Sequence, residues 1–296
     1  LVDEIIEADD LEAGAIQYAM GLVESGAPLK RIRDITIDPA TIEADFFANA
    51  RKRLARRARG QIAQDKIVSC IEAAVELPMD EGLQRERELF RELITSPESA
   101  AMRHIFFAER QAAKIKDLPK DTPVRDIAKV AIIGGGTMGG GIAMCFANVG
   151  IPVVMLEIND EALQRGMDII RKNYNITLQK GKMSEDQLEQ RIGLISGTTD
   201  YSNISDVDLV IEAVFENLEL KKEIFAKLDT VCKAGAILAT NTSYQDVDAI
   251  AEATSRPQDV LGMHFFSPAN VMKLLEVVRG EKTADDVLAT VMQIGK

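Results

Sequence analysis

The stretch that most constrains this chain is KVAIIGGGTMGGGIAMCFANVG, residues 129–150. Lys129 to Ile133 form an apolar run too short for a buried helix and rich in β-branched residues, which predicts a buried strand. The run passes directly into Gly134-Gly135-Gly136-Thr137-Met138-Gly139, and small and apolar residues at helical spacing follow. Strand, glycine turn and helix in that order can cradle a pyrophosphate. Gly134 allows the tight turn, Gly136 lets the backbone approach the phosphates, and Gly139 lets helix and strand pack closely, with Thr137 and Met138 between them. The helix start then offers unpaired N–H groups and the positive end of its dipole. Glycine-rich turns also serve as plain loops, so the next strand decides. It spans Pro152 to Leu156 and ends at Glu157, eighteen residues after Gly139. A carboxylate there can accept from both hydroxyls of an adenosine ribose and repels a 2′-phosphate, which makes NAD the expected cofactor.

The chain has 296 residues, more than one ordinary domain, and can bury a large core. Its net charge of −12 argues against nucleic acid or an anionic membrane as the main partner. Cys70, Cys145 and Cys232 are odd in number, widely spaced and set in apolar segments. They suit reduced core residues rather than a disulfide framework or a metal site, so no metal is expected. No run approaches transmembrane length, so no membrane insertion is expected. The chain opens on Leu1 and runs straight into VDEII, which suggests a piece of something longer.

Residues 1 to about 120 carry almost only helix signals. Asp10 can cap a helix with Leu11, Ala15, Tyr18 and Leu22 on one face, ended by Gly26 and Pro28. Asp38-Pro39 looks like an N-cap with a first-turn proline, ahead of Ile42, Phe46, Ala50, Leu54 and Ala58 at helical spacing. Asp80 opens another helix with Leu83, Phe90 and Leu93 inward, and Ser96-Pro97 a further one running to Lys116. The polar segment Asp117–Asp126, with two prolines, is the expected linker. The basic cluster Arg51, Lys52, Arg53, Arg56, Arg57 and Arg59 points several ways on a helix and suits a solvated face. His104 sits in a helix with no evident partner and is expected to be structural.

From Lys129 onward the pattern alternates. A helix carries Leu163, Met167, Ile170, Tyr174 and Leu178 on one face, and Ser184 and Gln187 make a capping box for a shorter one bearing Leu188 and Ile192. With further helices over about 217–232 and at Ala249, these alternate with strands at about 195–199, 209–214, 236–240, 260–265 and 274–278. Such alternation predicts a Rossmann-type, doubly wound, mostly parallel sheet with ligands beyond the carboxyl ends of its strands. AVFEN, ATNTS and GMHFFSP fall at those ends. His264 follows an apolar strand, and Glu276 lies inside another, LLEVV, where an unpaired carboxylate is expensive. If the SPANVM loop folds the two strands side by side, Glu276 can hold one imidazole nitrogen and leave the other for proton transfer. A buried ion pair without a catalytic part fits the same spacing. Ser243 can donate to a substrate oxygen, or it or Thr242 can cap the next helix. Asn241 can serve the nicotinamide or the backbone turn, and Glu216 the cofactor or a helix N-terminus.

GGGTMGGGIA, VIEAVFENLELKKEIF, TNTS and GMHFFSPANVMKLLEVVRGEKT together resemble the NAD-binding domain of the 3-hydroxyacyl-CoA dehydrogenases, over about residues 129–296. The resemblance implies oxidation of (3S)-3-hydroxyacyl-CoA by NAD, with His264 as base, Glu276 as its partner and Ser243 at the substrate's 3-oxygen. Glu216, Lys221 and Asn241 then match positions near the cofactor, and Glu157 the ribose position. HFFSPANVMKLLE is most similar to the multifunctional fatty-acid β-oxidation enzymes. VDEII resembles the end of their enoyl-CoA hydratase module, and MDEGLQRERELFRELITSPESAAMRHIFFAER their helical linker. The implied organisation is a helical hydratase tail and linker over 1–125, then the NAD-binding domain over 126–296. Two catalytic glutamates of the hydratase module and a C-terminal helical domain of the family have no counterpart in these residues. Gln245 stands where the group usually has an apolar residue. The family also implies an acyl-CoA substrate, a thiolase partner, and a bacterial cytoplasm or a peroxisome as compartment. The alternatives are a free-standing dehydrogenase of another β-hydroxy acid and a non-catalytic NAD-binding scaffold.

Overall fold

The computed structural model describes residues 5, 6 and 10–296, so three residues of the VDEII stretch lie outside the described residues. Two compact units divide between Lys114 and Ile115.

Among its described residues the first unit contains five α-helices: α1 (Leu11–Glu24), α2 (Phe46–Ala58), α3 (Ala63–Glu76), α4 (Met79–Ile94) and α5 (Pro97–Ala112). Asp10 and Ser96 cap α1 and α5 as their positions predict, accepting from the amides of Ala13 and Ser99. Asp38-Pro39 does not open a long helix. Asp38 caps a single tight turn, Pro39–Thr41, which the Thr41 hydroxyl closes onto the Asp38 carbonyl, and Ile42 is extended. The helix begins only at Phe46. Helix α3 carries no side-chain cap, because Ile62 stands at its start, so its N-terminus leaves no capping signal in the sequence. In α4 the inward residue is Leu89, whereas Phe90 is 60% exposed. Leu89 shares a face with the half-buried Leu93 four residues on, while Phe90 lies one helical step away, towards solvent. Arg51 joins α2 to α3 through Asp65, Ser69 and both oxygens of Glu72, and Lys66 joins α3 to α4 through Glu92. The other members of the basic cluster stay exposed, as does His104.

The second unit is a seven-stranded sheet in the order β3-β2-β1-β4-β5-β6-β7. Its strands are β1 (Val130–Ile133), β2 (Val153–Leu156), β3 (Ile195–Thr198), β4 (Leu209–Glu212), β5 (Ile237–Thr240), β6 (Val260–Phe265) and β7 (Leu275–Val278). All neighbours run parallel except β6 and β7. Six helices cover it: α6 (Thr137–Asn148), α7 (Asp160–Gln179), α8 (Glu185–Gly193), α9 (Leu218–Val231), α10 (Val247–Ala251) and α11 (Asp285–Ile294). Alternation along β1 sorts the two faces. Val130 and Ile132 meet the layer of Ile142, Ile170, Leu188 and Val287, and Ala131 and Ile133 meet Phe225, Leu228 and Ile250. This is the doubly wound fold the alternating pattern predicts, with the strand order reversing between β1 and β4. A crevice opens there at the carboxyl ends. Ser184 and Gln187 form the predicted capping box of α8. All three cysteines are free, and only Cys232 is fully buried, which pushes its thiol up to about 11. Among the described residues no helix is long and apolar enough to cross a membrane.

The predicted linker is not loose to its end. Arg125 bonds Asp286 at 2.8 Å, Asp259 at 2.7 Å and the Gly235 carbonyl at 2.9 Å, and its amide donates to the Thr290 hydroxyl. The Arg125 guanidinium holds the Asp286 carboxyl below the usual carboxylate range. A carboxyl depressed in the folded state contributes stability above its unfolded value of about 4 and loses it as pH falls through the folded value. Asp286→Asn should therefore lower the melting temperature at neutral pH, and the difference should shrink as pH falls below about 4. Paired thermal melts across that range test this; a gap of constant size would assign the role of Asp286 to packing.

Candidate functional site

Gly134 has φ +96°, a conformation that side chains avoid, and a Cβ there would stand 2.9 Å from the Ala213 carbonyl oxygen. A Cβ at Gly139 would lie 1.8 Å from the Gly134 carbonyl oxygen, so α6 seats on the turn only because residue 139 lacks one. Gly136 differs. It caps α6 with ordinary negative φ, and a Cβ there would meet nothing within 4 Å. The turn thus leaves open space above Gly136, in front of the amides that open α6 at Thr137 and Met138. Glu157, at the end of β2, accepts from the Gly135 amide at 2.6 Å and the Ile158 amide at 3.0 Å. A carboxylate has about four acceptor positions, so two remain for ribose hydroxyls. The residues present fit a dinucleotide.

At the far side of the crevice β6 and β7 pair as the sequence predicts. His264 and Glu276 are direct cross-strand partners, with His264 Nδ1 2.8 Å from Glu276 Oε2. The carboxylate can only accept, so in the neutral imidazole Nδ1 carries the proton and Nε2 keeps its lone pair. Phe266 lies against the imidazole, ring centroids 4.8 Å apart. One expectation is corrected here: β7 is an edge strand, and the Glu276 side chain is 54% exposed, against 19% for His264. Glu276 is thus not a buried carboxylate forced to find a partner.

The structure divides the roles left open in ATNTS. The Thr242 hydroxyl accepts from the Gln245 amide and donates to Glu216, so Thr242 holds the turn, while Asp246 caps α10. The exposed Ser243 hydroxyl has no protein partner among the described residues. Asn241 Oδ1 accepts from the Phe265 amide at 2.8 Å, tying the end of β5 to the strand that carries His264. Glu216 is not a helix cap; Asn217 caps α9. Glu216 instead accepts from the Ser243 amide at 3.1 Å and the Thr242 hydroxyl at 2.9 Å.

Lys221 departs furthest from expectation. Its side chain is 0% exposed, and its ammonium lies 2.8 and 3.0 Å from the two oxygens of Glu212, also 0% exposed. The ammonium faces inward beneath the strand ends. Glu212 is a residue the sequence does not single out, although its signal is present: one acidic residue in the apolar run LVIEAV. Glu212 also accepts from the Thr240 hydroxyl at 2.7 Å and the Val214 amide at 2.8 Å. Among the described residues no group of acidic, histidine and cysteine side chains could hold a metal ion.

A family model described as 3-hydroxyacyl-CoA dehydrogenase, NAD binding domain, matches residues 129–296. The peroxisomal bifunctional enzyme of Cavia porcellus is 37% identical over 301 residues, covering 100% of this chain and 41% of that protein. A crystal structure of (S)-3-hydroxybutyryl-CoA dehydrogenase from Ralstonia eutropha superposes with TM-score 0.57 at 38% identity, over 57% of this chain and 60% of that one. The dehydrogenase part of multifunctional enzyme 1 from C. elegans gives 0.55 at 34% identity, over 60% and 42%. The chain spans about two fifths of the length of the curated relatives it matches.

The glycine geometry separates binding from folding. Gly136→Ala should melt like the parent yet bind NAD about tenfold or more weakly, a loss of roughly 1.4 kcal/mol. Gly139→Ala should lose about 1–3 kcal/mol of stability, because its methyl meets backbone that must move. Thermal melts and NAD titrations of both variants decide, and parental NAD affinity in Gly136→Ala would contradict the open-cradle assignment.

Proposed function

The chain belongs to the 3-hydroxyacyl-CoA dehydrogenase NAD-binding-domain family, and from that membership we propose that it carries the cofactor and proton-transfer side of an NAD-dependent 3-hydroxyacyl-CoA oxidation. The observation that carries the proposal is the 2.8 Å contact between His264 Nδ1 and Glu276, which leaves Nε2 free at the same carboxyl end of the parallel strands as the glycine turn. Nε2 takes the proton of the substrate's 3-hydroxyl, and Glu276 orients the ring and stabilises the imidazolium that forms. Ser243, with its hydroxyl unengaged, donates to the 3-oxygen as C3 becomes a ketone. Gly134, Gly136, Gly139 and the first amides of α6 hold the pyrophosphate, and Glu157 the adenosine ribose. NAD, when bound, supplies the nicotinamide that accepts the hydride from C3. Asn241 and Glu216 act by holding the strand ends in place.

The rest of the proposal concerns the longer protein. The bifunctional and multifunctional names of the relatives support residues 1–125 as a hydratase tail and linker, ahead of the NAD-binding domain over 126–296. Those names are also peroxisomal, which favours a peroxisome over a bacterial cytoplasm. The 3-oxoacyl-CoA product is a substrate of the thiolase class, the partner the family suggests.

NADH-dependent reduction of acetoacetyl-CoA, followed by NADH absorbance on this chain and on a longer clone containing it, tests the reaction. His264→Gln should lower turnover by roughly 10²–10⁴-fold, the contribution of general-base catalysis, and leave NAD affinity near the parent's. Parental turnover in that variant would place the base elsewhere. NAD should bind more tightly than NADP, because Glu157 repels a 2′-phosphate; the reverse order in parallel titrations would sink the ribose assignment.

A further inference from the structure

The segment 266–274 leaves β6 beside His264 and returns as β7 beside Glu276, so its path decides how the chain departs from the pair. Within it only Ala269 is buried, at 4% exposure; the other residues are exposed or half-buried. The Val271 and Met272 amides both donate to the Pro268 carbonyl and close a turn inside the segment. Among the described residues, and apart from the β6–β7 ladder at its ends, one hydrogen bond ties it to another element. Cys145 Sγ on α6 donates to the Ala269 carbonyl at 3.5 Å.

Ala269 meets α6 at one spot. Gly141 and Cys145 lie one turn apart on the same face of that helix. A Cβ at Gly141 would stand 3.2 Å from the Ala269 Cβ, 3.2 Å from the Ala269 amide nitrogen and 3.3 Å from that of Asn270. The seat is thus filled by a single methyl, which the loop supplies and the helix lacks. The neighbouring Gly140 points elsewhere: a Cβ there would touch Ile170 of α7 at an ordinary 3.5 Å. One buried methyl adds little to the stability of a core this large. Its effect is on where the loop stands. Three residues before Ala269, Phe266 lies against the His264 imidazole, ring centroids 4.8 Å apart. A displaced Ala269 moves the short stretch that carries Phe266, and the imidazole loses the wall beside it.

We propose that Gly141 and Ala269 are positioning residues: the one-methyl contact between α6 and the loop fixes Phe266 against His264 and so holds the imidazole at the angle proton transfer requires. This rests on His264 being the base of the proposed reaction.

Moving the methyl across the contact tests it. Gly141→Ala puts two methyls in the seat and Ala269→Gly none, whereas the double variant again has one, now on the helix. Each single variant should lower acetoacetyl-CoA turnover in the longer clone by about tenfold, because small misplacements of reacting groups are costly. KM and NAD affinity should stay near parental. Each should also speed amide exchange at Val271 and Met272 by about threefold or more. The double variant should bring turnover and exchange back to within about threefold of the parent, the non-additivity expected of residues in contact. The added freedom of a glycine at 269 persists in the double variant, so recovery there assigns the loss to the empty seat. Gly140→Ala adds a methyl to the same helix away from the loop and should keep parental turnover and exchange. If Gly141→Ala fails to fold, Ala269→Gly still decides, since it removes a methyl and adds nothing. Parental turnover in Ala269→Gly, or a double variant no better than the worse single, overturns the proposal. The exchange measurement needs no substrate. A parent that binds no NAD or turns over no acyl-CoA counts against the proposed reaction, while parental Val271 and Met272 exchange in Ala269→Gly counts against the seat.

Discussion

The contact on which the second unit depends is the approach of α6 to the turn that precedes it. A methyl at Gly139 would sit 1.8 Å from the Gly134 carbonyl oxygen, and one at Gly166, on α7, 2.7 Å from the Gly135 carbonyl oxygen. Two helices therefore press on the same turn, each where its own chain has no side chain. That pressure puts the start of α6 over the end of β1, the strand with neighbours on both sides where the sheet order reverses. The helix dipole, the open space at Gly136 and the crevice then coincide without further device. Between them the two flanking layers are ordinary aliphatic packing, and they fix the turn's surroundings rather than its shape.

Much of this was legible in the residues because local and global signals agree. The glycine turn, the strand runs and the Ser184–Gln187 box each name their own structure. What was not legible has a common cause. An acidic residue in an apolar run says that a carboxylate sits in a strand, but not whether that strand is central or at the edge. LVIEAV and LLEVV carry the same signal; neighbours far away in sequence bury Glu212 and expose Glu276. The buried Lys221 follows from the same blindness, since helical spacing places it on the inner face of α9 without revealing the carboxylate beneath. In the first unit, Ile62 opens α3 with no capping side chain, and the Asp38-Pro39 signal is spent on a single turn. Both lie beyond what spacing can reveal.

The site uses two paired carboxylates in opposite electrostatic settings. His264 and Glu276 meet near solvent, where water and salt weaken attraction at a distance and the short direct hydrogen bond carries the orientation. Glu212 and Lys221 meet without water, where attraction is strong and any vacancy expensive. The first arrangement lets an imidazole gain and lose a proton without disturbing the core. The second holds charge still. Asn241 spans the two: its amide donates to the Glu212 carbonyl, and its side chain accepts from Phe265, next to His264.

Cross-strand pairing between β6 and β7 has a consequence for how such a pair survives change in the chain. Along an antiparallel ladder side chains alternate faces, so the partner of His264 is decided by parity: Glu276 faces it because the ladder matches Gly262 with Val278 and Phe265 with Leu275. A slip of one residue would turn Glu276 to the opposite face and bring a valine or leucine to the imidazole. The connecting segment 266–274 does not itself count out the register; the apolar side chains Leu275 and Val277, packed inward from β7, do. The geometry of the base is thus stored in the oil-facing residues of an edge strand. Drift in the loop's length can be absorbed there, whereas a polar replacement at Leu275 or Val277, remote from any proton, would unfix it.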